Sequence, residues 1–320
     1  MKTNYRCSQF AIALLVAVSL TTRALADEPK AGTPQQRFAS PEDAVKALLA
    51  ATKAGDKPAL HEIFGPDHDQ LLTGDAVQDA AAFDRFSKAV AQMCQLTRDG
   101  DDKVVLNIGA ENWPFPIPLV RQNSQWFFDT AAGKEEIINR HVGRDELNAI
   151  TVCRAYVGAQ RQYASQDRDG NGVLKYAQQL KSAPGKKDGL YWESAANEEL
   201  SPFGPLVSRA RAEGYAPRKE NEPRRPYYGY FFKVLTRQGA AAPGGKYDYV
   251  INGNMIAGFA LVAYPAEWGK SGIMTFIVSQ QGKVYQRNFG PETAEHAAAM
   301  TEYNPDPNWS LVSDQPASSL

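Results

Sequence analysis

The chain lacks most of the features that identify a particular chemistry. Its 320 residues include three cysteines and four histidines, too few for a disulfide framework or a zinc-cluster protein. The 35 basic and 36 acidic side chains nearly cancel. Because no basic stripe is present either, no nucleic-acid partner is expected. After the first 26 residues no apolar run approaches the roughly 20 residues of a membrane-spanning helix, so we expect a soluble mature protein.

The first 26 residues have the pattern of a secretory signal peptide. Lys2 and Arg6 form a positive start, an apolar run covers Phe10–Leu20, and a small-x-small cleavage site ends at Ala26, before Asp27. The apolar run is too short to span a bilayer. We therefore predict cleavage and a periplasmic or secreted protein; an uncleaved N-terminal anchor is the alternative.

Two cysteines remain after cleavage, Cys94 and Cys153. An oxidising compartment permits a disulfide between them, and such a bridge would tie the first predicted domain to the start of the second. Two free, buried thiols are the alternative, and we favour it because a lone pair of cysteines has no surrounding disulfide framework.

Residues 39–142 have the pattern of helices followed by short antiparallel strands, after a flexible lead over residues 27–38. Ser40 and Pro41 form an N-cap and first turn, and the helix that they open ends near Gly55. Strands follow the turn at residues 99–102. The order resembles the cone-shaped fold of the nuclear transport factor and ketosteroid isomerase superfamily. The resemblance lies in Pro41-Glu42-Asp43-Ala44-Val45, Ala54-Gly55-Asp56 and Gln125-Trp126-Phe127-Phe128-Asp129, and it implies a fold able to enclose a small apolar ligand.

Residues 143–303 have a different pattern. A helix over residues 135–166, broken or kinked near Gly143, precedes an acidic loop and an irregular stretch over 183–225 with two short helices near residues 194–200 and 206–213. An antiparallel meander of four or five strands follows, with a hairpin turn at Asn252-Gly253, and residues 304–320 are predicted to be a disordered tail. The order resembles the globular heads of type IV pilin-like proteins. The matching residues are Ala159-Gln160-Arg161-Gln162-Tyr163, Asp167 to Gly172, Tyr228-Gly229-Tyr230-Phe231-Phe232, Thr275-Phe276-Ile277-Val278 and Gly282-Lys283-Val284-Tyr285. We therefore predict an α+β fold in two domains.

Taken whole, the mature chain resembles a family of exported bacterial proteins known only as a domain of unknown function. The residues that carry this resemblance are Cys153-Arg154-Ala155-Tyr156-Val157, the Asp167 loop with Tyr176-Ala177, and Asn252 to Leu261. The resemblance implies export and supports the architecture. It implies no activity.

The acidic loop after the long helix matches the first half of a calcium loop. The donor positions that correspond to an EF-hand are Asp167, Asp169, Asn171, the Val173 carbonyl and Gln178. Gln178 replaces the bidentate Glu of that motif, and Lys175 adds a positive charge. Two alternatives stay open: a weak Ca²⁺ site, and an acidic turn whose Asp side chains cap the backbone.

Other motifs are weaker. His61 and His68 are seven residues apart, which does not match the i, i+4 spacing of a zinc helix, so we expect surface or capping roles. Gly269-Lys270-Ser271 lacks the upstream glycine of a phosphate loop. The aromatic residues near the end of the first domain line either a cone or an ordinary core; they are Trp113, Phe115, Trp126, Phe127 and Phe128.

The densest aromatic segment is Tyr227-Tyr228-Gly229-Tyr230-Phe231-Phe232. Alternation along a strand divides these side chains between two faces. One face could then bind a partner protein or glycan, or both faces could be covered in a central strand.

The sequence therefore favours an exported, non-catalytic binding or interaction module of the cell envelope. The alternative is an enzyme that uses a pocket in the cone-like domain on a small molecule, and a third is a part of an envelope assembly. A filled cone would favour the interaction module. A deep pocket containing a carboxylate with a raised pKa would favour the enzyme.

Overall fold

A computed structural model of the chain describes residues 34–195, 197–217 and 222–313. The predicted signal peptide, with its cleavage site between Ala26 and Asp27, lies outside these residues. None of the described helices combines the length and the apolar character needed to cross a membrane.

The described residues form helices and antiparallel strands, which confirms the predicted α+β class. The helices are α1 (Pro41–Ala54), α2 (Lys57–Phe64), α3 (Ala76–Gln92), α4 (Thr130–Tyr163), α5 (Gly204–Ala212) and α6 (Thr293–Ala299). The first strands are β1 (Cys94–Arg98), β2 (Lys103–Ile108), β3 (Trp113–Pro114), β4 (Leu119–Gln122) and β5 (Gln125–Phe128). Those that follow α5 are β6 (Tyr230–Leu235), β7 (Arg237–Gln238), β8 (Tyr247–Asp248), β9 (Val250–Ile251), β10 (Asn254–Met255), β11 (Ala260–Pro265), β12 (Thr275–Ser279), β13 (Val284–Arg287) and β14 (Ser310–Leu311).

Local signals account for the helix ends in the first half of the chain. The Ser40 side chain accepts a hydrogen bond from the Asp43 N–H, Pro41 is the first residue of α1, and Gly55 ends it with a φ of 64°. Helix α3 begins at Asp75, whose carboxylate accepts from the N–H groups of Val77 and Gln78. The predicted start and end of α1 are confirmed.

The first sheet has the strand order β1-β2-β4-β5, with β3 paired to β2. With α1 and α2 it encloses one hydrophobic core, whose fully buried members include Leu48, Ile63, Leu106 and Phe128. Residues 34–38, assigned by the sequence to a flexible lead, instead lie against this sheet. Phe38 exchanges backbone hydrogen bonds with Trp126 at 2.8 Å.

Helix α4 is continuous from Thr130 to Tyr163, so the break predicted near Gly143 is wrong, whereas a kink there stays a prediction. A glycine in a helix interior weakens the helix by only about 1 kcal/mol, and the burial of α4 on either side of Gly143, at Val142 and Asp145 and further along its second part, overcomes this cost. Gly133 is required near the start, because a Cβ there would lie 2.6 Å from the Pro116 carbonyl oxygen. The predicted domain boundary at residue 143 falls within this one helix.

The second half of the chain forms a sheet with the order β14-β13-β12-β11-β6. Its core is separate from the first and includes the second half of α4, with Cys153, Tyr156 and Tyr163. The four short strands β7 to β10 form two small ribbons. The Asn252-Gly253 turn joins β9 to β10 as predicted, but those strands are only two residues long.

Three regions differ from the sequence prediction. The segment 304–313, assigned to a disordered tail, instead contains β14, which pairs with β13 at the edge of the sheet. The short helix expected near residues 194–200 is absent from the described part of that segment. The aromatic strand β6 is an edge strand of its sheet; Tyr230 is buried, whereas Phe231 and Phe232 are half-buried.

Candidate functional site

A cavity of about 580 Å³ lies beneath α3, in the first half of the molecule. Residues from α2, α3, β2, β3 and the first half of α4 line it. Its walls are mainly apolar, and the aromatic side chains among them are Phe64, Phe83, Phe86, Trp113 and Phe115. The titratable side chains that reach it are His68, Asp79, Arg85, Glu111 and His141.

Helix α3 covers the cavity and buries few of its own residues. The sequence places Phe83, Phe86 and Ala89 on one face of this helix. Of its 17 residues, however, only Gln78 and Val90 are fully buried. The apolar face of α3 is therefore the roof of an open space, where an ordinary amphipathic helix would fill a core.

The aromatic walls support one another. The Phe115 ring lies 5.1 Å from that of Phe86 and 6.1 Å from that of Phe64, measured between centroids. Trp113 lies 6.3 Å from Phe115 and carries the Arg140 guanidinium over its outer face at 4.9 Å. Contacts of this kind keep rings in place even where one face of each ring is open.

Two imidazoles supply hydrogen-bonding groups in the wall. His68 stacks on Phe64, and its Nδ1 lies 3.4 Å from an Asp69 carboxylate oxygen. Burial lowers the pKa of His68, and burial together with the nearby Arg144 lowers the pKa of His141. Both rings are therefore mostly neutral near pH 7, so each can donate one hydrogen bond and accept another.

The acidic side chains at the cavity differ in their hydrogen bonding and in their exposure to solvent. One Asp79 carboxylate oxygen accepts hydrogen bonds from the Thr73 N–H at 2.9 Å and the Thr73 hydroxyl at 2.8 Å. Asp79 thus fixes the loop before α3 through one of its two carboxylate oxygens. Glu111 and Arg85 are exposed. The mouth of the cavity is polar, and its interior is apolar.

The Asp167 loop has the contacts of a capped acidic turn. One Asp167 oxygen accepts from the Gly172 N–H at 2.7 Å, and this hydrogen bond is the main reason that the pKa of Asp167 is lowered. The Lys175 ammonium group contacts Asp169, and the Gln178 amide donates to the Gly253 carbonyl at 2.8 Å. Asn171 caps the Val173 N–H.

Within the described residues, no three His, Cys, Asp or Glu side chains are grouped so that they could hold a metal ion. Calcium binding by the Asp167 loop therefore stays a prediction, in which the ion would have to displace Lys175 from Asp169.

A family model described as "Protein of unknown function (DUF2950)" matches residues 35–312. The chain belongs to this family. The match covers both hydrophobic cores, so the cavity and the second sheet are parts of one family unit. No curated protein and no solved structure shows a significant match to the chain. The likenesses to the cone-shaped fold and to pilin heads therefore have no structural neighbour to support them.

Both cysteines of the described residues are free thiols. Cys94 is half-buried at the edge of the first core and donates to the Val90 carbonyl at 3.2 Å. Cys153 is fully buried in the second core, and burial raises the pKa of its thiol to about 12. The structure therefore agrees with the alternative of two free thiols, and the two sulfur atoms lie in different cores.

Sequence reasoning found part of this site. Trp113 and Phe115 line the cavity, whereas Trp126 and Phe128 belong to the packed core. His61 and His68 approach to 5.6 Å between ring centroids because the chain reverses between them. Sequence reasoning did not identify Arg85 and His141 as cavity residues. The packing of α3 near α4 brings them to the same cavity, and no local sequence motif indicates this packing.

Proposed function

We propose that this protein is an exported binding module that holds a small, largely apolar molecule in the cavity beneath α3. The cavity is the observation that carries the proposal. Its volume of about 580 Å³ lies within the usual range of ligand pockets, and such pockets combine apolar walls with a few polar groups. The neutral imidazoles of His68 and His141 would orient a hydroxyl or carbonyl group of the ligand.

Export is supported by the sequence pattern of residues 1–26. The protein would then meet its ligand in the periplasm or outside the cell. N-terminal sequencing of the protein purified from a periplasmic fraction should give Asp27 as the first residue; a chain that retains Met1 in the membrane fraction would contradict cleavage.

Binding accounts for the cavity better than catalysis does. The carboxylate whose pKa is most clearly raised, that of Asp145, does not line the cavity, and Asp79 is engaged with Thr73. One observation favours the enzyme alternative: the contact of His68 with Asp69 has the form of a base with an orienting carboxylate. The variant His68→Gln distinguishes binding from catalysis, because ligand binding tolerates a neutral amide at this position, whereas proton transfer does not.

Binding can be measured with phenylnaphthylamine, a neutral apolar dye. We expect its fluorescence to rise on binding, with energy transfer from Trp113 in the cavity wall. Ala82 lines the cavity, whereas Ala80 on the same helix is exposed. Ala82→Phe should occupy part of the cavity with its ring and weaken binding, whereas Ala80→Phe, the matched control, should bind the dye as the natural protein does.

The two variants also give the result that would refute the proposal. Equal binding by Ala82→Phe and Ala80→Phe would place the dye elsewhere. Failure of the natural protein to bind apolar dyes at all would leave the cavity without a ligand role.

A further inference from the structure

Asp145 is a carboxylate buried in the interior between α3, α4 and the loop before β6. Its side chain is 0% exposed, a costly position for an ionised group unless its oxygens are fully hydrogen-bonded. One oxygen accepts from the Gln78 amide at 2.9 Å. The other has no hydrogen-bond partner among the described residues; the Arg144 Nε, 3.7 Å away, is likewise without one.

Gln78 joins this pair to the roof of the cavity. It lies in the first turn of α3, donates to Asp145, and accepts a hydrogen bond from the Arg144 guanidinium at 2.6 Å. Both contacts cross from α3 to α4. We refer to Gln78, Arg144 and Asp145 as the α3 latch.

The N-terminal end of α3 has a second polar attachment, to the other half of the molecule. One Asp75 oxygen caps the helix, and the other accepts from the Tyr215 hydroxyl at 2.8 Å. The same Tyr215 oxygen accepts from the Tyr228 N–H at 3.2 Å. The start of α3 therefore has hydrogen-bonded attachments both to α4 and to Tyr215, and hydrogen bonds to carboxylates respond to charge.

The loop before β6 closes over the latch. A Cβ on Gly229 would lie 2.7 Å from the hydrogen-bonded oxygen of Asp145 and 2.7 Å from the Ser271 Cβ. Only a glycine allows this approach, and its φ of 68° also favours glycine. The carboxylate consequently has little room to recruit water when it ionises.

We propose that the α3 latch is proton-operated: protonation of Asp145 keeps the N-terminal end of α3 closed, and ionisation loosens it, so that proton concentration regulates access to the cavity. The regulatory part of this inference rests on the proposed ligand-binding function. The latch itself does not, since it concerns the attachment of α3 to α4.

The surroundings of Asp145 determine the direction in which its pKa is shifted. Burial raises its pKa to about 6, partly opposed by Gln78 and Arg144 and reinforced by Asp75. Glu146 is occupied by the N–H groups of Ile273 and Met274. Burial also raises the pKa of Tyr230 on β6, and the Asp145 and Glu146 carboxylates add to that rise. The neutral acid is thus the favoured form inside the latch, and ionisation above about pH 6 brings an incompletely paired charge into it.

His141 is the other titratable group between α4 and α3, and it acts in the opposite sense. Asp79 and Arg85 of α3 both influence it, and its pKa is lowered. Protonation of His141 in acid would oppose closure, so any acid-side weakening belongs to this residue and not to the latch.

The test combines two measurements, each at about pH 5 and about pH 8. The first is hydrogen exchange of the backbone N–H groups of α3, corrected for the intrinsic pH dependence of exchange. The second is the release rate of bound phenylnaphthylamine. The variants are Asp145→Asn and His141→Gln, with Asp84→Asn as control because Asp84 is an exposed acid of α3 that pairs with Lys88.

In the natural protein and in Asp84→Asn, we expect both corrected exchange at the start of α3 and dye release to be roughly tenfold faster at the higher pH. A tenfold change in the opening equilibrium is equivalent in free energy to a pKa shift of about one unit. Asp145→Asn should remove this difference, and His141→Gln should retain it. A natural protein without pH-dependent exchange, or an Asp145→Asn variant that keeps it, would overturn the latch. If exchange follows the prediction and no dye binds, the latch stands and the proposed function fails.

Discussion

The two halves of the molecule use similar elements and differ in how completely they fill their interiors. All five residues of β12, in the second half, are buried. Because successive strand residues point to opposite faces, both faces of this strand are covered. In the first half, β1 has no fully buried residue, and α3 buries only two residues completely.

This difference distinguishes the second half, which is closely packed, from the first half, which contains the cavity. Helix α4 belongs to both halves, and its buried residues are concentrated in its second part, in the closely packed core around Tyr156 and Phe276. Its first part forms one wall of the cavity through Ile137 and His141. The closely packed second half thus positions one wall of the cavity, whereas α3, which buries only two of its residues completely, forms another wall.

The largest expected effect comes from deleting matched aromatic side chains in the two halves. Phe276→Ala removes a fully buried ring and should lower the free energy of unfolding by about 3–5 kcal/mol. Phe83→Ala removes a half-buried ring that faces the cavity and should cost less than about 1.5 kcal/mol. Urea denaturation followed by tryptophan fluorescence measures both. Equal costs would show that the cavity wall is packed as closely as the second core.

The next effect is a pH dependence of stability centred on Asp145. Its folded-state pKa is raised to about 6, above the unfolded value of about 3.9. The stabilisation from its protonation is therefore complete below about pH 4 and is lost as the pH rises through about 6, a change of at most about 3 kcal/mol.

Asp145→Asn should accordingly flatten this part of the curve of unfolding free energy against pH, and its stability relative to the natural protein should improve from about pH 4 to about pH 8. A variant equally destabilised at every pH would show that folding does not shift the pKa of Asp145 and that only its hydrogen bond matters.

The smallest effect concerns the Asp167 loop. Asp167→Ala removes the acceptor of the Gly172 and Asp169 N–H groups and should lower the melting temperature slightly, because a hydrogen bond to an exposed acceptor adds little net stability. Because Lys175 already contacts Asp169, we expect the same loss with calcium and with a chelator. Asp101→Ala, in another exposed turn, should change nothing. A melting temperature that rises with calcium in the natural protein, and not in Asp167→Ala, would establish the metal site instead.

The predictability of the fold varied with the range of the interactions involved. Ser40, Pro41 and Gly55 predicted the bounds of α1 because caps act within one turn. The Asn252-Gly253 turn was correct locally, yet β11 pairs with β6, about 30 residues earlier, and a turn signal carries no such pairing. The break expected at Gly143 failed for the same reason, since long-range burial of α4 outweighed a local propensity.

The predictability of the candidate site also depended on the range of the interactions involved. Alternation and helical spacing indicated that Phe83, Phe86, Trp113 and Phe115 face inward, but these patterns are the same for a filled core and for a cavity. Whether space remains beneath α3 depends on how far the helix lies from the sheet. That distance is set by loop lengths and by contacts at both of its ends.

The sequence by itself determined the α+β class, the helix caps, the turns and the apolar faces, because each depends on residues within a few positions of one another. The tertiary structure alone decided which apolar face covers a cavity and which carboxylate is buried. Gln78 meets Asp145 across 67 positions, and Asp75 meets Tyr215 across 140. Burial, and with it the pKa of Asp145, is a property of the assembled elements, since only packing removes water from a charge.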